Sequence, residues 1–215
     1  MTTQESPLRR PAPALVGTRI GLSLGIAFGV CGIFLWTALE SPLPATGWAA
    51  AFLFLAIESD VRALRIPNWL TFGGLALALG LAFAASGWPG VGRAAAGAGV
   101  ALALLFAPFV LRWIGAGDVK ALMVVGALWG PAPVVPVIFW TFVAGGAIAL
   151  ALLAARGELG DLLSRWRRSV WITLSTWRAT YLPPAVGSTA SSGLPFAVAI
   201  GLGASIFQRW GFPWA

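Results

Sequence analysis

The feature that most constrains the fold is a series of long apolar runs that cover most of the 215-residue chain. Hydrophobic residues make up 59% of the sequence, charged residues only 10%, and the mean hydropathy is +0.86. A water-soluble surface does not tolerate this composition. A helix of about 20 apolar residues, by contrast, crosses the hydrocarbon core with its backbone polar groups satisfied internally. The runs lack the apolar-polar alternation of a membrane β-barrel, so we predict an all-α polytopic membrane protein with about six to seven transmembrane helices.

Hydropathy divides the apolar part of the chain into seven candidate spans. They cover residues 16–39, 46–60, 68–86, 94–114, 118–131, 133–155 and 194–210. The second, fifth and seventh spans are short, so six spans remain an alternative. Residues 1–15 are expected to form a short cytoplasmic tail before a retained anchor helix, with a cleaved signal peptide as the alternative. Residues 16–215 are expected to form a single membrane-embedded domain.

The basic residues indicate the orientation, because lysine and arginine concentrate in short cytoplasmic loops. With the N-terminus inside, only Arg93 and Arg209 fall on the outer side. The cytoplasmic segments then hold Arg9, Arg10, Arg19, Arg62, Arg65, Arg112, Lys120, Arg156, Arg165, Arg167, Arg168 and Arg178. This distribution supports the seven-span count. It also assigns the net charge of +7 to loops beside anionic membrane lipids, without any need for nucleic-acid binding.

The cytoplasmic segment 156–193 begins with an amphipathic pattern. Its apolar and aromatic side chains recur at intervals of three or four residues, which places them on one helical face. They are Leu162, Trp166, Val170, Leu174, Trp177 and Tyr181, and the bordering arginines are Arg165, Arg167, Arg168 and Arg178. We expect this helix to lie in the headgroup region of the inner leaflet. Docking against the other helices is the alternative, and residues 183–193 resemble a flexible linker to the last span.

The composition excludes several kinds of catalytic centre. The chain has no histidine and a single cysteine, Cys31, inside an apolar run. A transition-metal site of histidine and cysteine ligands is therefore excluded, as is catalysis by a serine or cysteine paired with histidine. We expect no metal and no cofactor, so any chemistry must come from carboxylates.

Three of the seven acidic residues lack an ordinary explanation: Glu58, Asp60 and Asp118. Asp60 ends a span that runs inward and Asp118 begins one that runs outward, so both lie at the same depth on the same side. Two neighbouring carboxylates resist simultaneous ionisation, and the resulting division into acid and base suits the activation of water. Glu58 competes with Asp60, but positions two apart on a helix differ by about 200°, so only one can face Asp118. Pairing of these carboxylates with nearby basic residues at solvated helix ends is the alternative.

The sequence GAGDVK at residues 115–120 surrounds Asp118. Gly115 and Gly117 lack a Cβ, so another chain can approach closely beside the aspartate. A simple turn between two spans would explain the same glycines. Lys120 has two interpretations as well, because it can bias the charge of the carboxylate pair or stabilise a helix end.

The stretch DVRALRIPNWLT at residues 60–71, together with GAGDVK, resembles the type IV prepilin peptidases, which are membrane aspartyl proteases. A third matching piece is LPFAVAIGLGA at residues 194–204, and the resemblance covers residues 47–205. It implies that Asp60 and Asp118 form the catalytic pair. The supporting motif residues would be Gly115, Gly117, Lys120, Arg65, Ile66, Pro67 and Asn68. Pro67 fixes its own φ and favours extended geometry at Ile66, which would shape the loop beside Asp60.

The resemblance also implies an activity and a location. The protein would cleave the short basic leader from prepilin-like precursors at the cytoplasmic face of the inner membrane. The chain lacks the cysteine-bearing N-terminal region of larger relatives, so it is similar to the short branch found with tight-adherence (Flp) pili, and we expect no N-methyltransferase activity. Its first helix, residues 16–39, is extra relative to that short form. The oligomeric state is not indicated.

Two other functions stay open on the sequence alone. One is a non-enzymatic subunit or small transporter of a secretion or pilus system, although a transporter should carry polar groups in the middle of its spans. The other is a GxGD intramembrane protease with a different substrate, against which the IPN stretch at residues 66–68 argues.

Overall fold

The computed structural model describes residues 13–39, 45–177 and 194–211, and all regular structure in these segments is helical. The helices are α1 (Pro13–Ala38), α2 (Thr46–Ala63), α3 (Asn68–Val110), α4 (Ala116–Trp129), α5 (Pro131–Ala155), α6 (Leu159–Thr176) and α7 (Phe196–Trp210). Three of them are long and apolar enough to cross a membrane: α1 over residues 21–38, α3 and α5. The prediction of an all-α, helical membrane protein is confirmed.

The 43-residue helix α3 is two helices folded back on each other. Gly87 has a φ of 61° and a ψ of −147°, which is non-helical backbone that favours glycine. The backbone at Gly90 then comes against the carbonyl of Ala82, so the chain has reversed its direction. We call residues 68–86 the first arm and residues 88–110 the second arm. These arms correspond to the predicted third and fourth spans.

Helix α4 is the centre of the fold, with eight of its fourteen residues buried. Gly97 of the second arm meets the backbone of Gly126 so closely that a side chain at either position would collide with the other helix. Gly74 of the first arm packs against Phe52 of α2 and Val124 of α4. These small residues let the backbones of neighbouring helices approach, as is common for helices packed in membranes.

Helix α1, which the sequence marks as extra without explaining it, packs against α2 and α7. Val30 lies close to Gly201 of α7, and Val30 and Phe34 belong to the main hydrophobic core. The buried Thr37 hydroxyl donates a hydrogen bond to Gln208 Oε1 of α7 over 3.0 Å. Helix α1 therefore covers parts of α2 and α7. The C-terminal end of α2 meets the N-terminal end of α7 at the candidate site.

Helix α6 forms where the amphipathic pattern predicts it, and it ends at Thr176. No residue of α6 is buried, which argues against the alternative that its apolar face docks on the other described helices. Trp177 follows the helix in a left-handed conformation with a φ of 55°. Tyr181, Arg178, the predicted linker at residues 183–193 and most of the predicted tail at residues 1–15 lie outside the described residues.

Candidate active site

Asp60 lies in the last turns of α2 and is only 4% exposed. Its carboxylate Oδ2 accepts a hydrogen bond from the backbone N–H of Ala197 over 2.8 Å, and the N–H of Phe196 contributes another. Both donors belong to the first turn of α7, which follows Pro195. A helix N-terminus has free N–H groups and a partial positive charge. The start of α7 therefore holds the Asp60 carboxylate as it would hold an anion.

Asp118 is in the first turn of α4, where the helix dipole favours negative charge. Its Oδ2 accepts a hydrogen bond from the backbone N–H of Gly115, which precedes the helix, over 3.3 Å. A Cβ on Gly115 would stand 3.0 Å from the same oxygen. The glycine therefore gives the carboxylate the room that any side chain at position 115 would take.

The two carboxylates line one pocket of about 440 Å³. Its lining comes from the end of α2, the connection to α3, the starts of α3 and α4, and the residue before α7. The lining residues are Asp60, Leu64, Arg65, Ile66, Asn68, Gly115, Ala116, Gly117, Asp118, Lys120 and Leu194. The structure thus brings together the two aspartates and, with the exception of Pro67, all the motif residues that the sequence singles out.

Asp60 and Asp118 lie at helix ends outside the three helices that can cross a membrane, and their environments perturb them unequally. Burial raises the pKa of Asp60, while the N–H groups of Ala197 and Phe196 lower it. Burial, followed by the negative charge of Asp60, raises the pKa of Asp118 to about 6, while the N–H of Gly115 lowers it. The charge of Asp60 opposes ionisation of Asp118, so the protonated form of Asp118 is favoured while Asp60 is ionised.

The connection between α2 and α3 forms one wall of the pocket. Leu64 ends α2 in a left-handed conformation with a φ of 48°, and its N–H donates to the carbonyl of Asp60 over 2.7 Å. The Ser59 hydroxyl donates to the carbonyl of Arg65 over 2.8 Å and fixes the turn. Pro67 then caps α3 with a φ of −65°. Its missing N–H costs nothing at a helix start, so the proline gives the loop a fixed exit.

The same connection packs against the GAGDVK turn. A Cβ on Gly117 would stand 3.4 Å from the Cβ of Ile66 and 3.6 Å from its backbone nitrogen. Ile66 is buried, so the contact is part of the core rather than of the surface. Gly117 therefore lets the IPN stretch close over the start of α4, beside Asp118.

Lys120 also connects the GAGDVK turn to the IPN stretch at the start of α3. Its Nζ donates a hydrogen bond to Asn68 Oδ1 over 2.9 Å and lies 4.8 Å from the centroid of the Phe72 ring. Both contacts hold a positive charge beside the carboxylate pocket, since both partners belong to the first turns of α3. Lys120 therefore links the start of α4 to the start of α3.

Glu58, the competitor of Asp60, does not line the pocket. It forms an ion pair with Arg62, four residues later on the same helix, and Arg62 Nε also donates to the Ser23 hydroxyl of α1 over 3.3 Å.

Sequence reasoning missed Leu64, Ala116, Leu194 and the two N–H donors at the start of α7. The signal for these donors was present in LPFAVAIGLGA, because a proline directly before an apolar run is typical of a helix start. In the described part of the chain, no cluster of three or more acidic or cysteine side chains could hold a metal ion.

Comparison with known proteins adds an independent observation. Residues 48–150 match the type IV leader peptidase family. Neither a curated protein nor a solved structure matches the chain significantly. The matched region contains both aspartates, the IPN stretch and the GAGDVK turn. Residues 48–150 of this membrane protein therefore belong to the type IV leader peptidase family.

Proposed function

We propose that the chain is an aspartic endopeptidase that removes the leader from prepilin-like precursors, with Asp60 and Asp118 as its catalytic pair. The observation that carries the proposal is that two carboxylates, the buried Asp60 and the half-buried Asp118, 58 positions apart in sequence, line one pocket of about 440 Å³. Peptide hydrolysis by such a pair needs one ionised and one protonated carboxylate beside a water molecule. The unequal environments of Asp60 and Asp118 support this division of labour.

In the proposed mechanism Asp60 is the general base and Asp118 the general acid. The Asp60 carboxylate takes a proton from water, and the water oxygen attacks the carbonyl carbon of the scissile bond. Asp118 gives its proton to the carbonyl oxygen, which forms a neutral tetrahedral intermediate. When that intermediate collapses, the C–N bond breaks and Asp60 returns its proton to the departing amine, while Asp118 recovers its own from the oxygen. The N–H groups of Phe196 and Ala197 stabilise Asp60 in the ionised form that the first step requires.

The family and the charge distribution support a proposal for the substrate and the location. A leader peptidase family implies precursors with a leader, and we infer a short basic one that approaches the inner membrane from the cytoplasm. Arg62, Arg65, Arg112 and Lys120 lie at the pocket end of α2, α3 and α4, which the positive-inside rule assigns to the cytoplasmic side. We also propose that the chain cleaves without methylating its product.

The test is cleavage of a prepilin-like precursor by the purified full chain in lipid vesicles. Asp60→Asn and Asp118→Asn should each lower the rate by about 10²–10⁴-fold, the range that general acid-base catalysis contributes. Glu58→Gln is the matched control, because Glu58 carries the same charge two residues before Asp60 and pairs with Arg62 instead of lining the pocket. It should cleave at nearly the wild-type rate.

Each variant must remain folded in the membrane for the comparison to count. Thermal unfolding in detergent provides this check, since neither asparagine changes the volume of its side chain appreciably. A folded Asp60→Asn or Asp118→Asn variant with wild-type cleavage would refute the catalytic assignment. A shortened product that also carries a new methyl group would refute the peptidase-only part of the proposal.

A further inference from the structure

Helix α6 presents an apolar surface that no described part of the chain covers. On a helical projection six of its eight large apolar side chains fall within about 120° of the circumference, while Trp171 and Ile172 lie outside this sector. We call this surface the α6 apolar face, and it consists of Leu159, Leu162, Leu163, Trp166, Val170 and Leu174. Leu163 is 68% exposed and Trp166 is 70% exposed. A face of this size in contact with water would be unfavourable, so something else must cover it.

The helix begins directly at the end of a membrane-crossing helix. The N–H of Glu158 donates to the carbonyl of Leu153 over 2.9 Å, and the N–H of Gly157 donates to the carbonyl of Ala154 over 3.0 Å. With Gly157 at a φ of 71°, these two bonds form a Schellman motif that ends α5. Leu159 then starts α6 after only three intervening residues. Because α5 can cross the membrane, α6 starts at the membrane surface and has no linker with which to leave it.

The charges of α6 complement an anionic surface. Arg165, Arg167 and Arg168 stand beside or opposite the apolar face, and no carboxylate in the described segments forms a salt bridge with them. The guanidinium groups of Arg165 and Arg168 donate only within the helix, to the carbonyl of Asp161 and to Ser164. Asp161 lies in the first helical turn, where the helix dipole accounts for it. Most of the charge available for an external partner is therefore positive.

We propose that α6 binds the anionic surface of the membrane in which α5 lies. Its apolar face enters the boundary between headgroups and acyl chains, and its arginines bind lipid phosphates, which is the usual arrangement of an interfacial amphipathic helix. Trp166 is a side chain that favours this depth, because its ring is apolar and its N–H is polar. This binding does not depend on the proposed peptidase activity and can be tested without any substrate.

The experiment measures the depth of two spin labels on the full chain. Single cysteines are introduced as Leu163→Cys, on the apolar face, and Asp161→Cys, about 200° around the helix, with Cys31→Ser to remove the buried native thiol. The protein is placed in vesicles with and without 30% phosphatidylglycerol in phosphatidylcholine. Collisions of each label with oxygen, which concentrates in lipid, and with a water-soluble nickel complex are then compared.

In anionic vesicles the ratio of oxygen to nickel collisions should be several-fold higher for the label at position 163 than for the label at position 161. The difference should shrink in pure phosphatidylcholine, and replacing Arg165, Arg167 and Arg168 together by glutamine should remove the dependence on phosphatidylglycerol. Equal access of nickel to both labels would show that α6 lies in water and would overturn the proposal. Protection of the label at position 163 from both reagents would show that protein covers the face, which would overturn it equally.

Discussion

The pKa of Asp118 predicts a specific dependence of stability on pH. Burial and the charge of Asp60 raise this pKa from 3.8 to about 6, so the folded protein binds the proton more tightly than the unfolded chain does. The resulting stabilisation is complete below pH 3.8 and disappears as the pH rises through about 6. At 1.36 kcal/mol for each pH unit between the two values, it amounts to about 3 kcal/mol.

The assay compares the wild type with Asp118→Asn in one detergent. Reversible unfolding by added denaturant gives the free energy of unfolding of both proteins at intervals from pH 4 to pH 7.5. The wild type should lose about 2.5 kcal/mol relative to the variant across this interval, because asparagine has no proton to lose and a small part of the effect is already gone at pH 4. Asp161→Asn, on the exposed face of α6, is the control and should follow the wild type.

The Asp60→Asn variant separates the two causes of the raised pKa of Asp118, burial and the charge of Asp60. In Asp60→Asn the like charge is gone while the burial of position 118 remains, so the pKa of Asp118 should fall below 6 without reaching 3.8. Carbon-13 NMR of labelled aspartate side chains measures this pKa directly. A wild-type stability that runs parallel to that of Asp118→Asn at every pH would refute the reasoning. So would an unchanged pKa of Asp118 in Asp60→Asn, since the two carboxylates would then not interact.

Two glycine replacements test the packing. Gly97→Ala should destabilise the protein by about 1–3 kcal/mol, because a methyl group at position 97 collides with the backbone of Gly126; Gly99→Ala, two residues later with open space around it, should not. Equal unfolding free energies of the two variants in detergent would contradict this. Gly115→Ala should lower kcat for precursor cleavage about tenfold with little change in stability, because its Cβ displaces the Asp118 carboxylate by tenths of an ångström. An unchanged kcat would mean that the position of this carboxylate does not limit the reaction.

Most of the fold follows from the sequence because length and composition alone predict helices that cross a membrane. The first arm and the second arm of α3 were separable for the same reason, since Gly87 and Pro89 interrupt one long apolar stretch. The packing of α1 against α2 and α7 could not be predicted from the sequence. Its contacts with α2 and α7 depend on which apolar faces meet, and nearly uniform apolar helices carry little information about their neighbours.

The candidate site, too, could be predicted only in part from the sequence. Asp60 and Asp118 could be paired from the sequence because the predicted topology places them at the same depth. Arg62 lies four residues after Glu58 on the same helix, so the sequence also offered Glu58 a different partner. The N–H groups at the start of α7 could not be found as readily. Pro195 marks the start of α7, but every residue except proline has a backbone donor, so the sequence does not show that these donors face Asp60.

The bond between Asp60 and the start of α7 also affects the order in which the site is assembled. During synthesis both aspartates leave the ribosome before Ala197 does, so an unfinished chain contains the two acids without the group that holds one of them. Only after α7 inserts beside α1 and α2 does the Asp60 carboxylate acquire its N–H donors. A nascent or truncated chain without α7 therefore carries both carboxylates but lacks the N–H donors that hold Asp60.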